Sequence, residues 1–520
     1  MPRSSHGLVS EERVRGPRTP RVIVVGAGIG GLSVAMRLAA HGVDVLVLER
    51  EHDVGGKARA EQLHGYVVDA GPTVVTMHWA LEEVFAGAGA RLEQCLRLEP
   101  SVVIARHVWR DGTTFDLFAD PQRALDEVGR VFGGRDRAAY AAFRQDARRI
   151  YETIEEPFLR SPAPTLRSMM KEALHDFGAL ARIGAHRSMM RDLEGRFQSP
   201  KLAQLFGRYA TYCGSSPYDA PATLNLVSHV EAMGVYRVSG GVAALAQAMR
   251  SVASAHGATF RFGAVMTAVL DGAAGARGVR LQGGEELAAD AVVFNGDIAA
   301  LAEMTERRAV VAHRSENRSF SAVTWAAVAR ATGVPLAHHN VFFSDDYRAE
   351  FEALRALHVP AQPTVYLCAQ DRGDAPRQLG PERMLLIVNA PATGDDPARW
   401  QALENEQCDR AAFQQIEQCG LSLEILARRR CTPREWHQRF PATGGSLYGP
   451  ITNGSMSAMA RQGSKTKLPG LFLAGGSVHP GPGVPMSALS GTRAAEATLA
   501  YLASTAPSRS AGIAGTTSTA

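Results

Sequence analysis

The sequence is poor in lysine, in paired cysteines and in long hydrophobic runs. Its 520 residues carry a formal net charge of only +4, and no dense basic stripe with interleaved aromatic residues occurs, so a nucleic-acid partner is not expected. The six cysteines form no C-x-x-C pair, which argues against a zinc site or a disulfide framework and favours a reducing compartment. No apolar run reaches the roughly 18 residues of a spanning helix, and the N-terminus lacks the apolar core of a signal peptide. We therefore expect a cytoplasmic protein without a bound metal.

The length predicts several domains, and the pattern along the chain indicates how they are arranged. Three separated segments have the features of a single nucleotide-binding domain, in which buried strands are followed by glycine-rich turns and helices. Two longer and less regular stretches lie between them and are expected to form an inserted substrate domain. We predict the nucleotide-binding domain over 21–78, 237–297 and 466–503, the substrate domain over 79–236 and 298–465, and disordered tails over 1–20 and 504–520.

The first segment carries a dinucleotide-binding pattern. The apolar run Val22–Val25 predicts a strand buried on both faces, and Gly26, Gly28 and Gly31 follow it as G-x-G-x-x-G at the start of a predicted helix. This arrangement places backbone N–H groups and the positive end of a helix dipole against a diphosphate. Glu49 ends the next predicted strand, where a carboxylate accepts the ribose hydroxyls and disfavours a 2′-phosphate. The pattern does not by itself decide between FAD and NAD.

Two neighbouring elements extend this pattern. Shortly after Arg50, the stretch Asp53–Arg59 contains a second glycine pair followed by Lys57, and cationic residues there can lie over the same diphosphate. The stretch Gly65–Thr73 then ends in D-A-G-P-T. In the second segment, strands are predicted over Thr259–Phe262 and Ala264–Val269.

Together these elements resemble the flavin oxidoreductases that include amine oxidases, protoporphyrinogen oxidase and phytoene desaturases. The resemblance covers about residues 20 to 503. It implies FAD as the cofactor and an α/β fold in which a discontinuous Rossmann-like FAD domain carries an inserted α+β substrate domain, as in amine oxidases. It also implies cofactor contacts from Gly26, Gly28, Gly31, Glu49, Arg50, Gly56, Lys57, Arg59, Pro72, Thr73, Val265, Gly475, Gly476, Val484, Pro485 and Met486.

The C-terminal segment is similar to the closing FAD motif of bacterial carotenoid desaturases. The motif spans Gly470–Pro485, and Pro485 suits the first turn of the alanine-rich helix predicted to follow. The N-terminus of that helix would direct its positive dipole at a reduced, anionic flavin. Many relatives have an aspartate at the position of Gly476, so in this chain a backbone N–H would have to replace that side-chain contact.

Further stretches resemble one branch of the carotenoid desaturases. Gly71–Met77 and Arg208–Pro217 are similar to the carotenoid branch rather than to the amine oxidases. Ala105–Asp120 and Gly475–Pro485 look most like the 1-hydroxycarotenoid 3,4-desaturases of purple photosynthetic bacteria. This resemblance implies an acyclic carotenoid substrate, with a C3–C4 double bond introduced into a 1-hydroxy or 1-methoxy carotenoid by hydride transfer to the flavin.

No catalytic triad is found, and none is expected, because the flavin supplies the difficult chemistry. His78, Tyr212 and Glu231 are candidate bases or orienting groups, although each residue type is more often structural. The electron acceptor is left open among oxygen, a quinone and another carrier. A carotenoid dissolves in lipid, and Leu174–Phe197 has apolar residues at near-helical spacing with interleaved arginines. This segment is either a helix lying peripherally on anionic lipid or a helix packed on the substrate domain.

Three other functions remain open from the sequence alone. The first is another polyene desaturation, such as that of phytoene. The second is an amine-oxidase-type flavin oxidase, which the scarcity of lysine disfavours because many such enzymes place a lysine beside the flavin. The third is a non-catalytic escort that binds flavin or lipid.

Overall fold

The computed structural model describes residues 19–161, 184–305, 309–310, 315–373, 380–399, 406–454 and 461–505. Its α-helices are α1 Ile29–Ala40, α2 His78–Ala86, α3 Leu92–Cys95, α4 Pro121–Phe132, α5 Gly134–Ile154, α6 Met189–Arg196, α7 Pro200–Gly207, α8 Val227–Ala232, α9 Val242–Ala255, α10 Ile298–Glu303, α11 Tyr347–Arg355, α12 Glu406–Gln418, α13 Pro433–Arg439 and α14 Val484–Thr505. A π-helical turn spans Glu155–Leu159, and 3-10 turns span Arg208–Cys213, Ala222–Leu226 and Ser315–Asn317.

The strands form two main sheets and three small ones. They are β1 Arg21–Val25, β2 Asp44–Leu48, β3 Ala60–Leu63, β4 Tyr66–Asp69, β5 Leu98–Pro100, β6 Val103–Val108, β7 Thr114–Phe118, β8 Tyr236–Val238, β9 Thr259–Arg261, β10 Met266–Gly272, β11 Gly275–Leu281, β12 Glu286–Ala288, β13 Ala291–Phe294, β14 Ser321–Gly333, β15 His339–Phe342, β16 Val365–Ala369, β17 Glu382–Ala390, β18 Leu421–Cys431 and β19 Leu471–Leu473.

A five-stranded parallel sheet joins three segments that lie far apart in the chain. Its order is β19-β13-β1-β2-β9, and β1 sits at the centre because its apolar residues are buried on both faces. Helices α1, α9 and α14 cover one face through a shared apolar cluster, and the three-stranded sheet β10-β11-β12 covers the other. A Cβ on Gly491 would lie 2.2 Å from the Gly30 carbonyl oxygen, so glycine at this position allows α14 to pack closely on α1.

The second main sheet has seven strands in the order β18-β14-β17-β16-β15-β6-β7. Its neighbouring strands are antiparallel except for the parallel pair β15 and β6. One apolar cluster joins residues of α4–α7 to β6, β7 and β15, and it includes the buried rings of Tyr140, Phe143 and Phe206. The β3–β4 hairpin packs on the sheet through Val68, which is fully buried beside Ala326.

Short pairings connect the two sheets. Strand β5, which precedes β6 of the seven-stranded sheet in the chain, pairs with β8, and Val75 forms an isolated bridge with Tyr236, the first residue of β8. This architecture is the predicted α/β arrangement of a Rossmann-like sheet beside an α+β sheet. The domain boundaries themselves stay a prediction.

The segment from Leu174 to Phe197 is only partly within the described residues, because 162–183 lie outside them. In the described part, α6 turns Met190 and Leu193 into the core, where both are buried. Arg196 pairs with Asp192 and with Asp146, each at 2.7 Å. This half of the segment therefore packs on the neighbouring helices, as expected of the second alternative. Over the described ranges, we find no helix whose length and hydropathy would allow it to cross a membrane.

Candidate cofactor site and the adjoining polar cleft

The loop between β1 and α1 has the geometry of a diphosphate cradle. Gly26 has a φ of +96°, and a Cβ on Gly31 would lie 2.0 Å from the Gly26 carbonyl oxygen, so the turn tolerates only glycine at both positions. Gly28 precedes the first residue of α1, and no side chain caps the helix there. The N–H groups of the first turn of α1 therefore remain available to an anionic ligand.

Asn295, directly after β13, holds this loop in place. Its Nδ2 donates to the Gly26 carbonyl oxygen at 3.0 Å. A Cβ on Gly30 would lie 2.5 Å from Asn295 Oδ1 and 2.9 Å from the Gly475 nitrogen. The ends of β1, β13 and β19 thus meet at the start of α1. No sequence pattern marks Asn295, because a single asparagine after a strand is an ordinary turn residue.

Glu49 lies at the end of β2, next to the same loop. Its carboxylate accepts from the backbone N–H of Ala27 at 2.6 Å and from that of Glu51 at 2.9 Å, and the residue is only 6% exposed. Burial raises the pKa of the carboxyl group, while these hydrogen bonds oppose the rise. The adjacent Arg50 is exposed and donates to the Arg439 carbonyl oxygen at 3.3 Å.

The second glycine pair packs against the first glycine-rich loop. The Gly55 N–H donates to the Ala27 carbonyl oxygen at 2.8 Å, and Gly55 forms a bridge with Gly28. Gly56 has a φ of +60°, and a Cβ there would lie 3.3 Å from the Gly28 Cα. Two stretches of backbone without side chains therefore lie side by side, which leaves room for a ligand along them.

Lys57 and Arg59 follow this pair but point to different partners. Lys57 Nζ donates to the Leu447 carbonyl oxygen at 2.5 Å. Burial of the ammonium lowers the pKa of Lys57 to about 8, although the negative charge of Asp297 acts in the opposite direction. Arg59 instead forms an ion pair with Glu61 at 2.8 Å.

The D-A-G-P-T element links the two main sheets. The Asp69 carboxylate accepts from the backbone N–H of Val242 at 2.8 Å, at the start of α9. Pro72 and Thr73 follow, both partly buried, and Thr73 Oγ1 lies 2.6 Å from Tyr366 Oη on β16. Val265, another predicted cofactor contact, is partly buried, and its carbonyl oxygen accepts from the Gln282 N–H at 2.8 Å.

The C-terminal motif lies beside the glycine-rich loop. The Gly475 N–H donates to Ser490 Oγ at 3.2 Å, and α14 starts with the buried residues Val484 and Pro485, followed by the partly buried Met486. The Gly476 carbonyl oxygen accepts from Arg461 at 3.1 Å.

Arg461 is a buried cation that sequence reasoning missed. Besides Gly476, it donates to the carbonyl oxygens of Tyr448 at 3.2 Å and Pro450 at 2.7 Å. Burial lowers the pKa of its guanidinium to about 10. No motif surrounds Arg461, so only the folded chain reveals its position beside the C-terminal motif.

These residues fit a dinucleotide cofactor such as FAD. The first turn of α1 is uncapped, a carboxylate ends β2, and the Gly28–Gly56 contact leaves a groove that a Cβ would fill. The two glycine-rich loops pack against each other, and the same region includes Glu49 and Gly475. Arg50 instead contacts the Arg439 carbonyl oxygen, and Arg59 pairs with Glu61.

Two of the three candidate bases meet in a buried cluster. Glu231 accepts from Tyr209 Oη at 2.6 Å and from Tyr212 Oη at 2.7 Å. Arg208 donates to Tyr212 Oη at 3.1 Å. Burial raises the pKa of Glu231 and that of Tyr212, while the Arg208 charge opposes both shifts. His78 is not part of this cluster, since it pairs with Glu82 at 3.3 Å near the start of α2.

The cluster borders a narrow cleft, which we call the polar cleft. Its lining combines polar groups with aliphatic side chains, namely Val74, Ile104, Ala105, Arg208, Tyr212, Glu231, Val235, His339 and Tyr366. Tyr366 connects the cleft to the D-A-G-P-T element through its hydrogen bond with Thr73.

Comparison with known proteins agrees with this geometry. The sequence profile of the family described as flavin containing amine oxidoreductase matches residues 29–499. The chain is 47% identical to a hydroxyneurosporene desaturase of Rubrivivax gelatinosus, across 96% of this chain and 97% of that protein. It is 40% identical to a hydroxyneurosporene desaturase of Cereibacter sphaeroides, across 93% of this chain and 98% of that protein.

Among solved structures, a putrescine oxidase bound to putrescine superposes with a TM-score of 0.61 at 15% identity. The match covers 93% of this chain and 99% of that one. At this identity the likeness concerns the fold alone, and it confirms the predicted two-domain α/β architecture.

Proposed function

The chain belongs to the flavin-containing amine oxidoreductase family, among its carotenoid desaturases, and from this premise we propose that it introduces a C3–C4 double bond into 1-hydroxy or 1-methoxy acyclic carotenoids. The observation that carries the proposal is the 47% identity to a hydroxyneurosporene desaturase along nearly the whole of both chains. The glycine-rich cradle and the mixed lining of the polar cleft support it.

Several residues of this chain would hold FAD. The N–H groups at the start of α1 would bind the diphosphate, and Glu49 would accept ribose hydroxyls. Lys57 would add positive charge, and the N-terminus of α14 near Met486 would favour negative charge on the flavin. When bound, FAD supplies an acceptor for the hydride that leaves an allylic carbon of the polyene.

The protein's own contribution is to position the substrate and to exclude water. Val74, Ile104 and Val235 form the aliphatic wall of the polar cleft. A second hydrogen leaves the substrate as a proton, and Tyr212 and Glu231 are the candidate groups nearest this wall. Tyr212 keeps its own proton because burial raises the pKa of its phenol, so it can orient a group but not act as the base. The released proton would go to water or to Glu231, whose carboxylate already accepts two phenol hydrogen bonds.

The contacts of Lys201 bear on the amine-oxidase alternative. Lys201, one of the few lysines, donates to Thr113 at 2.6 Å and pairs with Asp111, so its ammonium is engaged within the seven-stranded-sheet region. It therefore does not supply the lysine that many amine oxidases place beside the flavin. Phytoene desaturation remains the alternative that uses the same cofactor and the same type of cleft.

Product analysis tests the proposal. The chain is expressed in one host that accumulates 1-hydroxyneurosporene and in a second host that accumulates phytoene, each with an empty-vector control. We expect a red-shifted pigment with one additional double bond only in the first host. A red shift only in the phytoene host would favour phytoene desaturation and would contradict the C3–C4 assignment.

We further propose that the protein meets its substrate at a membrane surface, because carotenoids are dissolved in lipid. FAD-loaded protein is sedimented with anionic vesicles and, as the matched control, with zwitterionic vesicles. We expect salt-sensitive co-sedimentation with the anionic vesicles. Equal recovery in the supernatant with and without lipid would count against this contact.

A further inference from the structure

Arg461 is a buried guanidinium whose hydrogen-bond partners are uncharged. The residue is only 5% exposed, and it donates to the carbonyl oxygens of Tyr448, Pro450 and Gly476 and, at 3.5 Å, to the hydroxyl of Thr452. Among the described residues, the carboxylate that acts on Arg461 is that of Asp297, and the two form no ion pair. Buried charges in proteins are usually paired, so a cation of this kind favours an anionic ligand nearby.

The hydrogen bonds of Arg461 join backbone from both main sheets. Leu447 and Tyr448 are held to the chain just before β14, because their N–H groups donate to the Phe320 carbonyl oxygen at 3.2 Å and to Ser319 Oγ at 3.1 Å. Gly476, by contrast, follows β19 of the parallel sheet. One planar guanidinium therefore ties the 447–450 segment, which belongs to the seven-stranded-sheet region, to the C-terminal cofactor motif.

The 447–450 segment packs directly on that motif. A Cβ on Gly449, whose φ is +70°, would lie 2.8 Å from the Ser477 Cα. A Cβ on Gly481 would lie 3.8 Å from Arg461 Nε, so the guanidinium also adjoins the loop that leads into α14. Lys57, which follows the second glycine pair, donates to the Leu447 carbonyl oxygen. The segment thus contacts two elements that are predicted to bind FAD.

The charges around the segment are not balanced. Asp297 attracts both Lys57 and Arg461. Its carboxylate also accepts from the Ala299 N–H at 3.0 Å, at the start of α10. One carboxylate shared by two cations leaves an excess of positive charge between the two cofactor elements. FAD brings a negative diphosphate, and its reduced flavin can carry a further negative charge, which such an excess stabilises.

We propose that Arg461 is a positioning residue of the FAD site, which holds the 447–450 segment against the C-terminal motif and supplies positive charge that favours reduced over oxidised FAD. The 447–450 segment is then part of the FAD site, although it belongs to the seven-stranded-sheet region. This inference concerns the cofactor and holds whichever carotenoid is desaturated.

Hydrogen exchange of the wild-type protein tests the role of the segment. Peptides that cover 447–452, 474–478 and the glycine-rich loop at 24–32 are compared with and without FAD, and a peptide from α4 serves as the control. We expect FAD to slow exchange in all three and to leave α4 unchanged. Protection of the glycine-rich loop without protection of 447–452 would overturn the assignment.

Two substitutions separate the geometric role of Arg461 from its charge. Arg461→Lys keeps the charge but lacks the planar set of donors, so it should weaken FAD binding about tenfold and leave the ratio of affinities for reduced and oxidised FAD near the wild-type value. Arg461→Gln removes the charge as well and should also lower that ratio about tenfold. Calorimetric titration gives the dissociation constant, and the midpoint potential of bound against free FAD gives the ratio.

The matched control is Arg493→Gln. Arg493 is also a buried arginine, 7% exposed, but it donates to the carbonyl oxygens of Leu159 and Ser161, which lie outside the cofactor elements. Its replacement should change neither quantity. The ratio is measured on FAD-loaded protein, so partial loss of folded material does not affect it.

The outcomes distinguish the two parts of the inference. Wild-type values of both quantities in Arg461→Gln would overturn it altogether. Equal loss of the ratio in Arg461→Lys and Arg461→Gln would refute the role of the charge. None of these measurements uses a carotenoid, so failure of the proposed desaturation would leave their result unaffected.

Discussion

Lys57 is expected to link FAD affinity to pH. Burial of its ammonium lowers the pKa from 10.5 to about 8, and the attraction of the Asp297 carboxylate offsets this only in part. Such a depression corresponds to at most about 3 kcal/mol of unfavourable free energy for keeping the group charged in the folded chain. A cofactor diphosphate at the α1 N-terminus would supply the missing negative charge.

The sign of the pH dependence follows from proton linkage. The folded pKa lies below the unfolded one, so the penalty is fully present below about pH 8 and disappears as the pH rises from about 8 to about 10.5. Lys57→Met removes this penalty and should therefore stabilise the FAD-free protein at pH 7. The loss of the hydrogen bond to the Leu447 carbonyl oxygen makes this gain smaller. This gain should shrink towards pH 10 in urea denaturation experiments.

The affinity for FAD should fall as the pH rises, whereas the unfavourable contribution of Lys57 to the stability of the FAD-free protein should disappear. Because the diphosphate favours the protonated ammonium, the affinity of wild-type protein should fall above pH 8 by up to about tenfold per pH unit. Lys57→Met should bind FAD more weakly at pH 7 and should lose this steep fall, as measured by calorimetric titration between pH 7 and 9.5. Lys467→Met, which removes an exposed lysine, is the control and should behave as wild type. A flat profile for wild-type protein would refute the reasoning.

Three further substitutions test the loop and the buried cluster. Asn295→Ala removes the 3.0 Å hydrogen bond to Gly26 and should cost about 1 kcal/mol, or about fivefold in the FAD dissociation constant; unchanged affinity would contradict this. Gly31→Ala should lower stability by about 1–3 kcal/mol in urea denaturation through overlap with the Gly26 carbonyl, whereas Gly134→Ala, where the space is open, should not. Glu231→Gln leaves its tyrosine donors without a charged acceptor and should destabilise the fold by about 2–3 kcal/mol, so an unchanged melting temperature would count against the cluster's role.

Local sequence patterns predicted the parallel sheet closely. The predicted strand Val22–Val25 appears as β1 over Arg21–Val25, and the helix predicted to start at the glycine pattern appears as α1 over Ile29–Ala40. These elements are specified locally, because a strand buried on both faces must be continuously apolar and a glycine-rich turn must follow it. The predicted strand Ala264–Val269 instead begins at Met266, since the Ala264 N–H bonds to the Glu49 carbonyl oxygen outside the ladder.

The candidate site was predictable only where a motif marks it. The glycines and Glu49 belong to the dinucleotide-binding pattern, and in the fold Glu49 contacts the glycine-rich loop through the Ala27 N–H. Asn295 and Arg461 carry no such pattern, because their contacts are with backbone atoms contributed by distant segments. The pairing of Tyr212 with Glu231 depends on how α8 packs near the Arg208–Cys213 turn, which spacing along the sequence does not reveal.

The most direct test of the central claim is a single turnover without oxygen. FAD-loaded protein is mixed anaerobically with 1-hydroxyneurosporene while the flavin spectrum is followed, and the carotenoid is then analysed by mass. The account predicts loss of the oxidised flavin absorption together with a product that lacks two hydrogen atoms and absorbs at longer wavelength. A flavin that stays oxidised beside unchanged carotenoid, or a purified protein that binds no FAD at all, would contradict it.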